Sequence, residues 1–504
     1  MKSTRARALA SALISVLVIV LAGCGQSSTE TADRQLVVGA SVAPNSMDPS
    51  TSDAAAISQA LLYNVYETLL KIDGDGQLQP LLASEWAVSP DGLTYTFTLR
   101  SQAKFSTGAP VNAEAVVTSV ERIIDDDAVL PVLKTQMEVV DSVRAVDDTT
   151  VEFVLKHPSN NWLYSMAERA GIIYEPTSLA DLATTPVGSG PFVFSEWVKG
   201  DSVVLTRNES YWGTETRLAG VTFKYYTDAN ALNAAMLSGS LDVLSNVAAP
   251  QALDQFEDSR FTVLEGTTTG EIVLGYNHQT PALQDLKVRQ AINYAIDREA
   301  LRDAVWAGKG PLIGSMVAPT DPWYEDLSGA YPYDPDKARE LLAEAGIASG
   351  SLTLRLRVPT LPYATPAATY IASQLSEVGI QVQVDELEFP ATWIDQVLQQ
   401  SNYDMTIVAH VESRDISLWA DPTYYWHYDN AEFQQLLVEA DEASTQTEQT
   451  ALMKQAAQIL SDDAAADFLW LLPNLVVTKS DVTGVQANAP SLSFDMTAAV
   501  APPQ

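Results

Sequence analysis

The chain is poor in the residues that most site chemistry requires. Of its 504 residues one is cysteine, Cys24, and four are histidine. A lone thiol has no partner within the chain, so structural disulfides are excluded. His157, His278, His410 and His427 share no i, i+4 spacing and no further cysteine joins them, so the pattern of a transition-metal site is missing and no cofactor is expected. Positive charge is scarce as well, with 29 Lys and Arg against 64 Asp and Glu and a net charge of −35. Such a surface argues against nucleic acid and against any polybasic attachment to anionic lipid. Phosphate loops and nucleophile elbows are missing too. Gly308-Lys309-Gly310 lacks the rest of the first motif, and Gly188-Ser189-Gly190 is not the second. Ser101-Gln102-Ala103-Lys104 matches S-x-x-K, but neither S-D-N nor K-T-G accompanies it. It follows a strand and precedes a loop, so an extracellular acyl enzyme is only a remote alternative.

One long apolar run is present, Ala8 to Ala22, interrupted only by Ser11 and Ser15. It is shorter than the ~20 residues that a membrane-crossing helix needs. Lys2, Arg5 and Arg7 precede it and the small residues Ala22-Gly23 end it, which is the secretory pattern. Leu21-Ala22-Gly23-Cys24 resembles a bacterial lipobox, whose cysteine takes a diacylglyceryl group and becomes the new N-terminus. Lipidation of Cys24 would account for the single thiol. Residues 1–23 are expected to be a lipoprotein signal peptide. Residues 24–34 are expected to be a flexible tether, because Gln26 to Asp33 is polar and aperiodic. The expected address is the outer face of the cytoplasmic membrane, on the periplasmic side if a second membrane is present.

The remaining chain is too long for one core and long enough for two or three domains. Pro90-Asp91-Gly92 makes a turn, since proline presets φ, aspartate bonds its own backbone and glycine tolerates positive φ. Leu93, Tyr95, Phe97 and Leu99 then alternate with Thr94, Thr96, Thr98 and Arg100, the period of a half-buried strand. Asn112 is placed to cap a helix whose Val116, Val117, Val120, Ile123 and Ile124 form one apolar stripe. Ser202 to Arg207 reads as a strand after the Lys199-Gly200-Asp201 turn, and Leu232 to Leu237 as part of a short helix before Gly239. A helix begins near Leu286, and Asp334, Pro335 and Gly346 read as N-cap, N1 and C′ of another. Ala367 to Val378 is helical up to Gly379, and Ile380, Val382 and Val384 alternate in the strand that follows. Strands and helices alternate throughout, which gives a mixed α/β class.

The wording of several segments is narrower than their structure. Ser84 to Ile124, SEWAVSPDGLTYTFTLRSQAKFSTGAPVNAEAVVTSVERII, resembles the signature region of the extracellular solute-binding proteins of the oligopeptide, dipeptide and nickel class. Pro186 to Gly213 is close to that family's glycine–proline motif and its "RN…YWG" ending. Lys287 to Leu301 resembles its VRQAI…AIDR helix, and Tyr333 to Gly346 and Tyr403 to Glu432 resemble further blocks. The resemblance runs in chain order from about Leu36 to Gly484.

It implies an α/β bilobal, periplasmic-binding-protein-like fold with a ligand cleft between lobes and an extra subdomain in lobe I. Lobe I would hold residues 35–272, lobe II 273–473, and residues 474–504 would return to lobe I. The crossings would lie near Glu271–Asn277 and Leu471–Val477. The implied role is a monomeric, non-catalytic binding component of an ABC importer. It would capture peptide and deliver it to permease subunits and, through them, to ATPase subunits. A nickel chelate, haem, an opine or an oligosaccharide are alternative ligands for the same fold, with His410 and His427 as the residues that would touch a chelate or haem.

The most suggestive stretch is His410 to Trp426, HVESRDISLWADPTYYW. It leaves the C-terminal end of the strand Met405–Ala409, a common place for ligands in α/β sheets. In peptide-binding relatives this loop offers a carboxylate to the ligand's α-ammonium while the peptide backbone pairs like an added strand. Asp415 is the first candidate anchor and Asp421 the second, against a reading in which both cap local turns. Trp419, Tyr424, Tyr425 and Trp426 either line side-chain pockets or close the core of lobe II. Pro44, Asn45 and Asn277 are weaker candidates by family position. One departure stands out. Peptide-clamping relatives often carry a basic residue after the strand corresponding to Leu352–Val358, yet here that loop reads Pro359-Thr360-Leu361-Pro362-Tyr363. Arg355 and Arg357 lie within the strand and are expected on a solvated face.

If Cys24 is the lipidated residue, Cys24→Ala leaves an unprocessed precursor that takes up no labelled fatty acid. Two chains anchor stably where one holds only marginally, so the loss should be complete. Unchanged labelling of the variant removes the lipoprotein assignment.

Overall fold

The computed structural model of the protein describes residues 34–247, 250–411, 413–443 and 445–502, so Cys24 and the tether lie outside the described residues. The largest sheet has seven strands. Their order is Phe261–Gly266, Asn474–Lys479, Val243–Leu244, Gln35–Ala40, Gly220–Tyr225, Ser202–Arg207 and Phe192–Val198. Gln35–Ala40 pairs in parallel with both its neighbours and the other pairs are antiparallel. Leu36, Val38, Leu205, Val221 and Val476 from this sheet share one core with Ile57, Leu61 and Tyr66. This is the first lobe.

A four-stranded antiparallel sheet forms its extra subdomain, in the order Ala83–Val88, Thr94–Leu99, Thr150–Leu155 and Val140–Asp147. Tyr95, Phe97 and Leu99 are buried, as their alternation predicts, and pack with the helix Ala113–Asp125. Asn112 Oδ1 accepts from the Ala115 N–H at 3.0 Å, the expected cap. The helix stripe is narrower than expected. Val116, Val120 and Ile123 are buried, whereas Val117 is half-buried and Ile124 is exposed. The first three recur at one-turn spacing, and each of the other two lies about 100° further round the helix.

The second lobe is built on five strands, Ile380–Leu387, Leu352–Pro359, Met405–His410, Glu271–Tyr276 and Ala466–Leu471 in that order. Helices Leu286–Ala295, Arg298–Trp306, Pro335–Glu344 and Ala364–Glu377 contribute to one core with this sheet. Helices Ala431–Asp441 and Gln446–Asp462 join the tryptophan-rich second core. Covered on both faces, Glu271–Tyr276 and Ala466–Leu471 are buried at every position. Ile380–Leu387 lies at the sheet edge, so only Ile380 of its alternating set is buried and Val384 is exposed. Asp334 Oδ1 accepts from the Lys337 N–H at 2.9 Å, and Gly346 takes the positive φ expected of a C′ residue.

The chain crosses between the lobes twice. Phe261–Gly266 belongs to the first sheet and Glu271–Tyr276 to the second, which places the first crossing at 267–270. It therefore precedes the expected Glu271–Asn277 stretch, most of which is a central strand held between helical layers. The second crossing is Leu472-Pro473. The two crossings bond to one another. Leu472 N–H donates to the Gly270 carbonyl at 2.8 Å, and Thr268 Oγ1 donates to the Leu472 carbonyl at 2.6 Å. The C-terminal segment steadies the pair, since Asn488 Oδ1 accepts from Thr267 N–H at 3.0 Å and Ala489 N–H donates to Thr267 at 2.8 Å.

Away from these crossings the lobes meet again. Asn160 Nδ2 donates to the carbonyls of Ala440, Asp441 and Ala443 at 3.3, 2.9 and 2.9 Å. The Asn161 N–H donates to Asp441 Oδ1 at 2.8 Å. Both residues sit on a subdomain helix and satisfy the carbonyl end of Ala431–Asp441 in the other lobe. The subdomain and the second lobe are thus in direct contact.

The Tyr211-Trp212 pair of the sequence motif has a physical role in lobe I. The Tyr211 hydroxyl and Trp212 Nε1 donate to the Glu67 carboxylate at 2.7 and 2.9 Å, as does Ser189 Oγ at 2.7 Å. Burial pushes the Glu67 carboxyl up to about 7, against the lowering pull of these three donors and of Lys71.

Two outcomes follow from these contacts. A carboxyl raised from 4.5 to about 7 in the native state adds stability below its unfolded value and loses it as pH rises through about 7. Glu67→Gln should flatten that fall in the urea midpoint, which amounts to about 3 kcal/mol over the full window; an unaltered pH slope refutes the assignment. Asn160→Ala removes a three-carbonyl contact worth about 1–2 kcal/mol between the lobes but none within either. Small-angle scattering of the unliganded variant should show a larger radius of gyration with the melting temperature nearly unchanged. Superimposable scattering curves would show that Asn160 holds nothing shut.

Candidate functional site

The loop that leaves strand Met405–His410 reaches both lobes and both crossings. Thr269 Oγ1, from the first crossing, donates to the Val411 carbonyl at 2.6 Å. A cavity of about 180 Å³ opens at the hinge, lined by Ala40, Thr269, Gly270, Val411, Leu472 and Phe494 among others. A second cavity, of about 470 Å³, lies between the subdomain and lobe II, with Asn161 and Tyr164 on one wall and Ser413, Arg414, Ser417 and Asp441 on the other. The loop 411–417 thus runs from one cavity to the other.

Asp415 opens the 3₁₀ turn Asp415–Ala420 and is buried. Its Oδ2 stands 3.7 Å from His410 Nδ1. Burial pushes the imidazole of His410 down to about 3, so this pair is not an ion pair at neutral pH. His410 Nε2 meets the Tyr425 hydroxyl at 2.9 Å. Glu271 lies opposite His410 in the sheet register. Burial, then the charges of Asp415 and Asp321, push the Glu271 carboxyl well above the usual carboxylate range. Its Oε2 is buried without a hydrogen-bond partner among the described residues. Like-charged carboxyls in a buried site suppress each other's ionisation, and a cation placed beside them relieves the conflict. Burial and the neighbouring carboxylates therefore favour the protonated, neutral form of Glu271.

The aromatic run serves chiefly the core. Trp419 and Trp426 stack with centroids 3.8 Å apart and planes at 9°, and both are fully buried. Trp426 lies against Gly275, where a Cβ would stand 2.6 Å from its Nε1. Tyr425 is buried and its carbonyl accepts from the Tyr403 hydroxyl at 2.7 Å. Tyr424 alone of the four keeps partial exposure. Asp421 is exposed, and its Oδ1 accepts from the N–H and hydroxyl of Thr423 at 2.8 and 2.7 Å. That is the local turn cap weighed against the anchoring role. Asn277 is buried as a joint, donating to the carbonyls of Ser401 and Tyr403 and accepting from Gln279. Pro44 is buried, while Asn45 is exposed and accepts from the Ser52 hydroxyl at 2.7 Å.

None of the candidate ligand-binding residues lines either cavity, though His157 lines the larger one; Asp415 is next in the chain to Arg414, which does. The arginines of strand Leu352–Pro359 are not on a bare solvated face. Arg355 bonds Asp404 and Asn402, and Arg357 bonds Asp385 and Gln396. Sequence reasoning missed Thr269, Val411, Ser413 and Arg414. A signal existed for the last, the only basic residue between His410 and Trp426. The histidines His278 and His427 bond a backbone carbonyl and the Ser401 hydroxyl respectively. Among the described residues, no group of three or more His, Cys, Asp or Glu is disposed to hold a metal ion.

Known proteins resemble this chain over most of its length. Residues 77–440 match the model of the bacterial extracellular solute-binding proteins, family 5. Heme-binding protein A of Haemophilus influenzae is 28% identical over 502 residues, covering 88% of this chain and 90% of the relative. The dipeptide-binding protein of Escherichia coli is 29% identical over 388 residues, 71% of this chain and 72% of the relative. An ABC transporter-associated periplasmic binding protein of Helicobacter pylori, solved with the peptide STSA, superposes with a TM-score of 0.79 at 25% identity. That match covers 92% of this chain and 98% of the other. By the family model over most of its length and by the solved fold over both lobes, the chain belongs to the family 5 extracellular solute-binding proteins, binding components of ABC importers and not enzymes.

Proposed function

We propose that the protein captures short peptides in the cleft between its lobes and presents the closed complex to a membrane permease driven by ATPase subunits. The observation that carries the reading is the buried Asp415 carboxylate on the loop between the two cavities, which suits a cationic group such as an α-ammonium. The peptide-binding relative from Escherichia coli and the peptide complex from Helicobacter pylori support the ligand class. Ligand stabilises the closed arrangement by binding it better than the open one, and hinge rotation at 267–270 and Leu472-Pro473 performs the change. The protein works as a monomer held to the membrane through lipidated Cys24. A second reading keeps the cleft and changes the cargo to heme, favoured by the heme-binding relative that covers 88% of this chain. Mass spectrometry of the small molecule released on denaturing the purified protein separates the two.

In a thermal-shift screen, a peptide at ~100-fold excess over Kd adds about 2.7 kcal/mol to the native state. Asp415→Asn keeps the volume and removes the charge. Breaking such a buried pair costs about 3–5 kcal/mol, so the variant should lose most of its peptide binding at nearly unchanged unliganded stability. Wild type should bind N-acetylated peptide poorly, and the Asn variant should tell free from acetylated ends far less well. Shifts with heme alone would sink the peptide reading. An acetyl group that makes no difference to wild type would sink the ammonium clamp.

A further inference from the structure

A cavity of about 590 Å³ lies wholly within lobe I and shares no lining residue with the two cavities described above. Its volume falls within the ~300–1,000 Å³ of small-ligand sites. Three separate pieces of the lobe converge on it. Arg100 follows the subdomain strand Thr94–Leu99, Glu67, Lys71, Tyr211 and Trp212 belong to the body of the lobe, and Thr497 comes from the C-terminal segment. Capture of a solute between the lobes gives this cavity nothing to do.

The aromatic part of the wall is fixed from beneath. The Tyr211 hydroxyl and Trp212 Nε1 both donate to the buried Glu67 carboxylate, so each ring is held by its polar end. Both rings stay half-buried at the cavity, with centroids 5.3 Å apart and planes at 52°. They offer apolar surface in a set orientation, with their own hydrogen-bonding groups already used. Arg100 is pinned beside them. Its backbone N–H donates to the Leu82 carbonyl at 2.9 Å and its Nε to the Leu81 carbonyl at 2.7 Å. The guanidinium carbon stands 5.8 Å from the Trp212 ring centroid. The other wall charges are answered locally. Lys71 pairs with Asp495, Glu215 reaches Arg207 at 3.5 Å, and Glu67 receives three donors. Arg100 forms no ion pair among the described residues, on a chain where 64 acidic residues face 29 basic ones.

We infer that this cavity is a second binding site, for a small aromatic carboxylate whose anionic group accepts from Arg100 and whose ring lies against Trp212 and Tyr211. With Nε committed to Leu81, the two Nη groups supply the fork that matches a planar carboxylate. The tilted aromatic pair supplies the surface for the ring. The site is separate from the cleft between the lobes and does not depend on which solute the cleft takes. Its occupant joins the subdomain, the body of lobe I and the C-terminal segment, and that last segment also bonds the first crossing through Asn488.

The test uses 4-benzoylbenzoate, an aromatic carboxylate that crosslinks under ultraviolet light, and its neutral amide, each at millimolar concentration on the purified protein. Labelled peptides are mapped and quantified by mass spectrometry. In wild type the acid should label peptides that contain Arg100, Trp212 or Thr497, about tenfold more than the amide does. Arg100→Gln should bring labelling by the acid down to the level of the amide. Arg100→Lys keeps the charge without the fork and should lose several-fold for the acid only. Should Arg100→Gln not fold, Arg100→Lys is judged by that acid-specific loss. Equal labelling by acid and amide in wild type overturns the assignment, as does a wild type that takes no label. Label concentrated on peptides with Tyr164 or residues 413–417 places the carboxylate in the cleft and overturns it too. So does a label beside Trp212 that Arg100→Gln leaves undiminished.

Discussion

The hydrogen bonds that tie Gly270 and Thr268 to Leu472 set the geometry on which everything else depends. They join the only two chain crossings between the lobes among the described residues, so the lobes turn about one bonded seam instead of two loose linkers. The Thr268 hydroxyl also accepts from the Gly270 N–H at 2.9 Å, which fixes the bend of the first crossing. Thr269, between them, reaches Val411. This contact couples the first crossing directly to the loop that carries Ser413, Arg414 and Asp415.

The loop gathers opposite electrostatic demands within two residues. Asp415 lies beside Glu271, whose carboxyl is raised by burial, and a neutral His410. Arg414 points across the cleft to Tyr164 and Asn161, where its charge is set against aromatic faces and an amide oxygen. The structural Glu67 cluster is built differently, with three donors converging on one carboxylate.

Much of the architecture was legible because local rules and tertiary packing agree. The Thr94–Leu99 alternation, the Asn112 and Asp334 caps and the glycine stops all reappear with the partners that their chemistry requires. The first crossing was expected only near Glu271–Asn277, from the resemblance, and the run Glu271–Tyr276, buried on both faces, has no periodicity that would mark its start. The site was harder. Trp419 and Trp426 look like pocket residues in sequence, and only their 3.8 Å stacking shows that they face each other. Asp415 and Asp421 are equivalent as letters, and burial alone distinguishes them. Arg414 escaped notice because its role comes from Tyr164, 250 positions earlier, and from Trp323.

Strand Asn474–Lys479 lies between Phe261–Gly266 and Val243–Leu244 in the first sheet. Until the last thirty or so residues emerge, Val243–Leu244 has one unpaired flank and Phe261–Gly266 has no sheet to join. The second lobe, by contrast, is contiguous from Glu271 to Leu471 and closes on contacts of shorter span. Its sheet is complete while the first still waits for its insertion. The largest sheet therefore cannot be completed until the strand Asn474–Lys479 inserts, whereas the second lobe draws all its strands from one contiguous stretch.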